Sequence, residues 1–225
     1  MRMLIRFGKN PRLRFISHLD LQRFLHMALN RTGLPIKYSE GFNPHPLMAF
    51  GSALALGWTS EYEILDVRLS QPMGRRRCEE GMRLALPVDL PVLELKLVDD
   101  RYPSAMSQVR ASDYEVRIEG NDAEKIKAQI AAFMDKDEVL AMKKTKSGMN
   151  ETNIRPLVIS LEATDYGFDA RLMLTEKDSL KADLLARTLT EMAGIEDVEG
   201  LEMRVHRTCL LGLDKNGGYK PLMEL

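Results

Sequence analysis

The segment at residues 38–46 has the sequence YSEGFNPHP, and its residue types are suited to binding chemistry. Prolines fix φ on both sides of His45, and Gly41 can adopt a backbone angle that other residues resist. A segment built in this way holds the amide of Asn43 and the imidazole of His45 in one geometry. The pattern predicts a rigid binding loop, although Asn43 is also in a setting typical of plain turn chemistry. The candidate binding residues in this loop are Tyr38, Phe42, Asn43 and His45.

A second group of polar residues stands around the predicted start of a helix at Ser17. Arg12 and Arg14 precede this start, and His18 lies in the first helical turn. Free N–H groups and the helix dipole favour an anion at such a position. If the helix start meets the predicted loop, the two groups line one polar pocket. A histidine in that pocket could transfer protons, so His18 and His45 are the candidate catalytic residues.

The spacing of histidines along this helix is compatible with an exposed face or with a metal site. His18, Gln22 and His26 recur every four residues and therefore share one helix face. His18, His45 and an acidic side chain could hold a metal ion, but no local ligand spacing supports such a site. We expect a solvent-exposed face, no metal ion and no cofactor.

A cluster of basic residues also occurs in the second half of the chain. Residues 143–148 read KKTKSG, and NIRP follows at 153–156. Contact with nucleic-acid phosphates would explain a basic hairpin tip in an otherwise acidic half, and a plain exposed turn is the alternative. The candidate contact residues here are Lys143, Lys144, Lys146 and Arg155.

The net charge of −1 is unevenly distributed along the chain. Residues 1–112 hold 16 Lys and Arg against 11 Asp and Glu, a balance of +5, whereas residues 113–225 hold 16 against 22, a balance of −6. Residues 1–60 contain eight basic and two acidic side chains. Such a basic region on a near-neutral protein indicates a localised anionic partner such as RNA or phosphate, with solvated surface charge as the alternative.

The elements that must position these residues follow a β-α-β-β-α-β order in each half of the chain. In the first half we predict strands near 2–8, 47–53, 61–69 and 92–98, with helices from Ser17 to Gly33 and over 73–85. In the second half, which has one predicted strand more than this order contains, we predict strands near 114–118, 138–144, 157–163, 168–174 and 201–211, with helices over 122–134 and 179–193. The predicted fold class is α+β, with two ferredoxin-like (βαββαβ) halves in tandem at 1–98 and 113–225, joined by a linker at 99–112.

Several classes of protein are excluded by motifs that the sequence lacks. There is no GxxxxGK[ST], HExxH or GxSxG, no GxGxxG after a predicted strand, and no CxxxCxxC to hold an iron–sulfur cluster. No run of about 18 apolar residues occurs, so we expect no membrane span. Cys78 and Cys209 stand far apart, which is typical of a protein in the reducing cytoplasm.

Two sequence motifs carry a resemblance to a known family. FISHLDLQR at 15–23, followed by the loop sequence at 38–46, closely resembles the bacterial radical SAM-linked protein family, a domain of unknown function. The resemblance continues at 54–57, 60–62 and 146–148. Family members often have Asp-Ile-Arg-Pro at the positions of residues 153–156, where this chain has Asn153 instead of the aspartate. They also often have a basic residue at the position of Leu47.

The family is encoded beside, or fused to, a B12-binding-domain radical SAM protein, so the resemblance implies a radical SAM protein as partner. Frequent encoding near an RNase E/G-type ribonuclease and ribosomal proteins implies RNA-related work. The leading hypothesis is a non-catalytic, RNA-binding or substrate-presenting accessory protein for a radical SAM enzyme in RNA or ribosome-related modification. The alternative is a metal-independent RNA-processing nuclease with His18 or His45 as general acid or base. A third hypothesis is a purely structural partner of the radical SAM protein that has no affinity for RNA.

Overall fold

The computed structural model describes residues 1–120, 123–145, 148–195 and 200–225, along which strands and helices are mixed. The strands are β1 (Arg2–Lys9), β2 (Met48–Phe50), β3 (Thr59–Arg68), β4 (Val92–Val98), β5 (Ala111–Ile118), β6 (Leu140–Thr145), β7 (Gly148–Asn153), β8 (Val158–Thr164), β9 (Gly167–Met173), β10 (Met203–Leu213) and β11 (Tyr219–Pro221). The helices are α1 (His18–Arg31), α2 (Arg75–Ala85), α3 (Ala105–Gln108), α4 (Ala123–Met134) and α5 (Ala182–Met192). The predicted α+β class is confirmed.

The chain forms two compact units, and the first comprises Met1–Val109 together with Cys209–Leu225. In this unit β1 pairs with both β3 and β4, and β2 pairs with β3, always antiparallel. These pairings give the order β4-β1-β3-β2, in which β2 pairs with β3 off the main path of the sheet. The end of β10 forms an antiparallel pair with β11, so this later part of the chain completes the unit.

The core of the first unit lies where α1 and α2 pack on the sheet. Four apolar residues at helical spacing on α1 are buried there: Leu21, Leu25, Ala28 and Leu29. Ser17 begins the helix as predicted, because its side chain accepts a hydrogen bond from the N–H of Asp20 at 3.1 Å. The helix ends before Gly33, whose φ of +66° favours glycine. The local sequence therefore fixes both ends of α1 and the face it buries.

Within the first unit, the guanidinium of Arg2 forms a buried ion pair and also holds the segment at 99–109. The guanidinium of Arg2 donates two hydrogen bonds to the carboxylate of Asp66, at 2.8 and 2.9 Å. The same guanidinium donates to the carbonyl of Pro103 at 2.9 Å, and Ala105, the first residue of α3, is buried. The predicted linker at 99–112 thus contains a short helix, α3, whose first residue is buried.

The second unit comprises Arg110–Thr208. In it β9 pairs with β5 and β8, both antiparallel, and α4 and α5 pack against each other. The predicted hairpin of β8 and β9 is confirmed. The strands β6 and β7 form a separate two-stranded sheet. The prediction included β6 but not β7.

No helix in the described ranges is both long and apolar enough to cross a membrane.

Candidate nucleic-acid interface

The loop at 38–46 is closed at its base by a compact set of hydrogen bonds. Tyr38 and Pro46 form an isolated β-bridge, and the N–H of Ser39 donates to the carbonyl of His45 at 2.9 Å. In return the N–H of His45 donates to the Ser39 hydroxyl at 3.1 Å. These bonds hold the two ends of the loop together, and its role in binding stays a prediction.

The tip of this loop extends into solvent. The side chain of Phe42 is fully exposed, and Asn43 beside it is also exposed. Gly41 has a φ of +118°, in the region where a side chain is strained, so glycine is required at this turn. The tip therefore presents an aromatic ring and an amide from a backbone of fixed shape.

Two contacts attach the loop to α1. The hydroxyl of Tyr38 donates a hydrogen bond to the side-chain oxygen of Asn30. The imidazole of His45 stacks on that of His26, with ring centroids 6.0 Å apart and an interplanar angle of 29°. A hydrogen bond of 2.9 Å between Nδ1 of His45 and the Ser39 hydroxyl fixes the ring orientation. Burial, reinforced by His45, lowers the pKa of His26 below its ordinary value.

The structure does not bring His18 and His45 together in a contact. His18 packs on Phe50 of β2, with ring centroids 4.5 Å apart, whereas His45 packs on His26. His18 and His26 are separated by eight residues of one helix, a rise of about 12 Å. The face that carries His18, Gln22 and His26 is half-buried, because β2 and the loop lie against it.

A buried pair of charged residues lies close to His18. Lys9 at the end of β1 and Glu63 in β3 are 2% and 1% exposed. The ammonium of Lys9 donates to the carbonyls of Arg14 and Ile16, at 3.2 and 3.0 Å, and so supports the segment that leads into α1. Burial lowers the pKa of Lys9, and the Glu63 carboxylate opposes this shift.

His18 experiences both of these buried charges. Burial lowers the pKa of His18, the Glu63 carboxylate raises it, and the Lys9 ammonium adds to the lowering. The net direction is downward, so the imidazole is neutral near pH 7. Neither Lys9 nor Glu63 belongs to a recognisable sequence motif. The one indication of this buried pair in the sequence is Glu63 itself, a charged residue among the apolar residues of β3.

Cations and an exposed aromatic ring precede α1. The guanidinium of Arg14 lies 4.5 Å from the ring centroid of Phe15, whose side chain is 70% exposed. Arg12 is exposed and approaches the carboxylate of Asp89 at 4.0 Å. The carbonyl of Arg14 accepts a hydrogen bond of 2.8 Å from the N–H of Gly57. Phe15 was not among the predicted contact residues, and its ring adds a stacking surface to the predicted arginines.

The predicted basic residues of the second unit occupy different environments. Lys143 and Lys144 lie on β6, and Lys146 lies outside the described residues. The guanidinium of Arg155 donates to the carbonyls of Met134 and Val158, at 3.0 and 3.1 Å, and so holds the fold of this unit. The side-chain oxygen of Asn153 accepts the N–H groups of Val139 and Arg155, at 3.0 and 3.1 Å, which a carboxylate could do equally well.

Nowhere in the described part of the chain do three His, Cys, Asp or Glu side chains meet in a way that could hold a metal ion. Cys78 is fully buried on α2, and burial raises the pKa of its thiol. A buried thiol with a raised pKa is a poor nucleophile. The chemistry available around α1 is therefore that of exposed aromatic rings, arginine side chains, amides and imidazoles.

Comparison with known proteins identifies the family without assigning an activity. No curated protein matches the chain in sequence. A chain in the crystal structure of a Cbf5-Nop10-Gar1 complex has 13% sequence identity and a TM-score of 0.47; the match covers 92% of this chain and 48% of that one, so this chain spans about half its length. The model of a family described as an uncharacterized protein conserved in bacteria matches residues 2–187. The chain therefore belongs to the DUF2344 family.

Proposed function

We propose that this chain is an RNA-binding accessory protein and that its first unit contacts single-stranded RNA. The observation that carries the proposal is the fully exposed ring of Phe42 on a loop whose base is fixed by hydrogen bonds. An exposed ring contributes nothing to the core, whereas an unstacked RNA base can lie on it. Asn43 and His45 beside the ring can donate and accept hydrogen bonds at base edges.

The region that precedes α1 supplies the charges that such an interaction needs. Arg14 lies over the exposed ring of Phe15, and Arg12 is close by in the chain. Single-stranded nucleic acids are bound by cations that neutralise phosphates together with rings that stack on bases. Phe15 precedes the first turn of α1, and the loop attaches to its third turn, so the helix separates the two binding points by a few turns.

We also propose that each unit has a ferredoxin-like fold. In the first unit the strand order β4-β1-β3-β2, with α1 after β1 and α2 between β3 and β4, is the order expected of that fold. In the second unit the order β10-β5-β9-β8, with α4 and α5 at the equivalent places, supports the same proposal. The β6–β7 hairpin would then be an insertion between α4 and β8.

The partner we propose is a radical SAM enzyme, to which this chain would present RNA or another substrate. The support is the sequence resemblance at 15–23 and 38–46. Affinity purification of the tagged chain from cells that encode it, with and without ribonuclease treatment, tests the proposal. We expect a radical SAM protein to be recovered in both samples; recovery that depends on RNA would argue against a direct partnership.

The RNA interaction is tested by titrating the protein into a labelled single-stranded RNA of about 12 nucleotides, a length within the usual site sizes. Phe42→Ala removes a stacking surface worth about 1–3 kcal/mol, so we expect the affinity to fall about 5- to 150-fold. Arg12→Ala/Arg14→Ala removes cations that neutralise phosphates, so the slope of log affinity against log salt should decrease by about 0.7 for each phosphate that is no longer neutralised. Fluorescence anisotropy at several salt concentrations measures both effects.

Matched controls come from α2, which carries none of the proposed RNA contacts. Leu84→Ala removes another strongly exposed apolar side chain, and Arg76→Ala removes an exposed cation that pairs with Glu80. Neither control should change RNA affinity. The proposal is wrong if the protein does not bind RNA, or if Phe42→Ala and Leu84→Ala have the same effect.

The predicted RNA contacts of Lys143 and Lys144 stay a prediction, which Lys143→Ala/Lys144→Ala tests in the same titration.

A ribonuclease is the second candidate function, because the lowered pKa of His18 keeps a neutral imidazole that could act as a general base. Incubation of the purified protein with the same RNA in the presence of a chelator tests this. Cleavage that disappears in His18→Ala or in His45→Ala would support it. Intact RNA, or cleavage that survives both substitutions, would exclude these histidines as the catalytic groups.

A further inference from the structure

The second unit contains a groove between the β6–β7 hairpin and the first turns of α5. Its volume is about 350 Å³, and its lining residues all belong to the second unit. Lys143 and Lys144 contribute from the hairpin, and Lys181 and Arg187 contribute from the start and the second turn of α5. None of the residues that line this groove belongs to the loop or to the arginines assigned to RNA.

The groove is strongly basic in a part of the chain that is otherwise acidic. Its four cations form no ion pair with any described residue. Asp183 also lines the groove, and its carboxylate accepts the N–H of Leu184 at 2.9 Å in the first turn of α5. Residues 113–225 as a whole hold 16 basic against 22 acidic side chains. The local field therefore attracts an anionic group to this groove in particular.

Apolar side chains line the same groove. Met142 and Met149 are 53% and 57% exposed, and Leu184 of α5 also lines it. In the hairpin Met149 lies opposite Lys144, so an apolar and a basic side chain share one face. Glu151 lies opposite Met142 but does not line the groove. Exposed methionines adapt their shape to an incoming apolar surface, as at many protein-binding grooves.

We propose that this groove is the docking site for an acidic, amphipathic segment of a partner protein. Apolar side chains of the segment would cover Met142, Met149 and Leu184, while its carboxylates would face the lysines and Arg187. The groove mixes methionine with cations, and among the described residues that line it none is aromatic. Because binding of single-stranded RNA depends on aromatic stacking, the composition favours a peptide.

The proposal is tested with the whole chain and a synthetic helical peptide of about 18 residues, which has leucines at i, i+3, i+4 and i+7 and glutamates along both flanks. Binding is measured by fluorescence anisotropy. We expect Lys144→Glu/Lys181→Glu and Met142→Ser/Met149→Ser each to weaken peptide binding at least tenfold. A second peptide with every glutamate replaced by glutamine should also bind at least tenfold more weakly.

Two controls separate this site from general charge effects and from the RNA site. Lys136→Glu reverses an exposed charge after α4, away from the groove, and Phe42→Ala disables the proposed RNA site. Both should bind the acidic peptide like the unchanged protein. Failure of the acidic peptide to bind, or equal binding of the glutamine peptide, would overturn the proposal. Loss of RNA binding in Lys144→Glu/Lys181→Glu without any peptide binding would show instead that the groove holds nucleic acid.

Discussion

Lys9 shows how a single buried residue can position the segment proposed to bind RNA. Its ammonium bridges the carbonyls of Arg14 and Ile16, which flank the exposed ring of Phe15. Without this ammonium the carbonyl of Ile16 would lose this donor, whereas the carbonyl of Arg14 would keep the N–H of Gly57, and the buried Glu63 would lose one nearby positive charge. The lysine therefore links the interior of the sheet to the segment that carries the arginines.

We expect Lys9→Met to lower the free energy of unfolding by about 1–3 kcal/mol, because the half-buried carbonyl of Ile16 loses its lysine donor and the carbonyl of Arg14 keeps only the N–H of Gly57. The measurement is urea unfolding followed by the fluorescence of Trp58, the single, buried tryptophan of the chain. Lys37→Met, at an exposed position, should change stability by less than about 0.5 kcal/mol. The single variant Glu63→Gln and the double variant Lys9→Met/Glu63→Gln complete a double-mutant cycle, and additive effects of the two substitutions would show that the two charges are not coupled.

At the scale of the element, the loop at 38–46 shows which features of a proposed binding loop can be predicted from a sequence. The glycine, the two prolines and the histidine predict a rigid loop, because each restricts or permits particular backbone angles. The partner of His45 could not be predicted in this way, since the packing of the loop on α1 decides whether it meets His18 or His26. Local conformation depends on neighbouring residues, whereas contacts between elements depend on how the whole unit packs.

The single substitution Gly41→Ala tests whether the backbone shape of this loop matters for binding. A Cβ at this position would touch nothing, so the cost of Gly41→Ala comes entirely from its φ of +118°. Such backbone strain costs about 1–3 kcal/mol if the loop keeps its shape. Because the tip is exposed, we expect it to relax into another shape instead, so RNA affinity should fall while the melting temperature changes little. RNA titration and thermal unfolding measure the two effects.

Gly74→Ala is the matched control for this experiment. Gly74 also has open space around its Cα, but its φ of −75° is ordinary for any residue. RNA affinity in this variant should equal that of the unchanged protein. An equal loss in both variants, or no loss in Gly41→Ala, would mean that the loop geometry does not matter for binding.

At the scale of the whole molecule, the histidines of α1 make stability depend on pH. The pKa values of His18 and His26 are lowered from 6.5 in the folded state, chiefly by burial, with His45 adding to the effect at His26. The unfolded chain therefore binds more protons than the folded chain once the pH falls to about 6.5. The free energy of unfolding should decrease as the pH falls from about 8 through this value.

Urea unfolding at a series of pH values between about 8 and 5.5, a range that spans the ordinary histidine pKa, measures this dependence. The variant His18→Asn/His26→Asn should show a smaller decrease over the same range. His45, Lys9 and Glu63 remain in this variant, so any slope that persists comes from other groups. An unchanged slope would show that neither histidine carries the effect.

The sequence patterns predicted most elements of both units, because apolar spacing and turn residues act locally. The stripe from Leu21 to Leu29, the cap at Ser17 and the β8–β9 hairpin are confirmed. Other features could not be predicted because they depend on residues distant in sequence. Arg2 pairs with Asp66, and the segment from Cys209 returns to the first unit.

This return of the chain has a consequence for how the protein is made. A ribosome synthesises residues 1–109 first, but Leu222 and Met223, which are buried in the same unit, emerge only after the second unit. The N–H of Met223 donates to the hydroxyl of Tyr62 at 3.2 Å, a hydrogen bond across 161 positions of the chain. The first unit therefore cannot reach its final form during translation before the whole second unit has been synthesised, and the apolar surface that Leu222 and Met223 cover stays open until then.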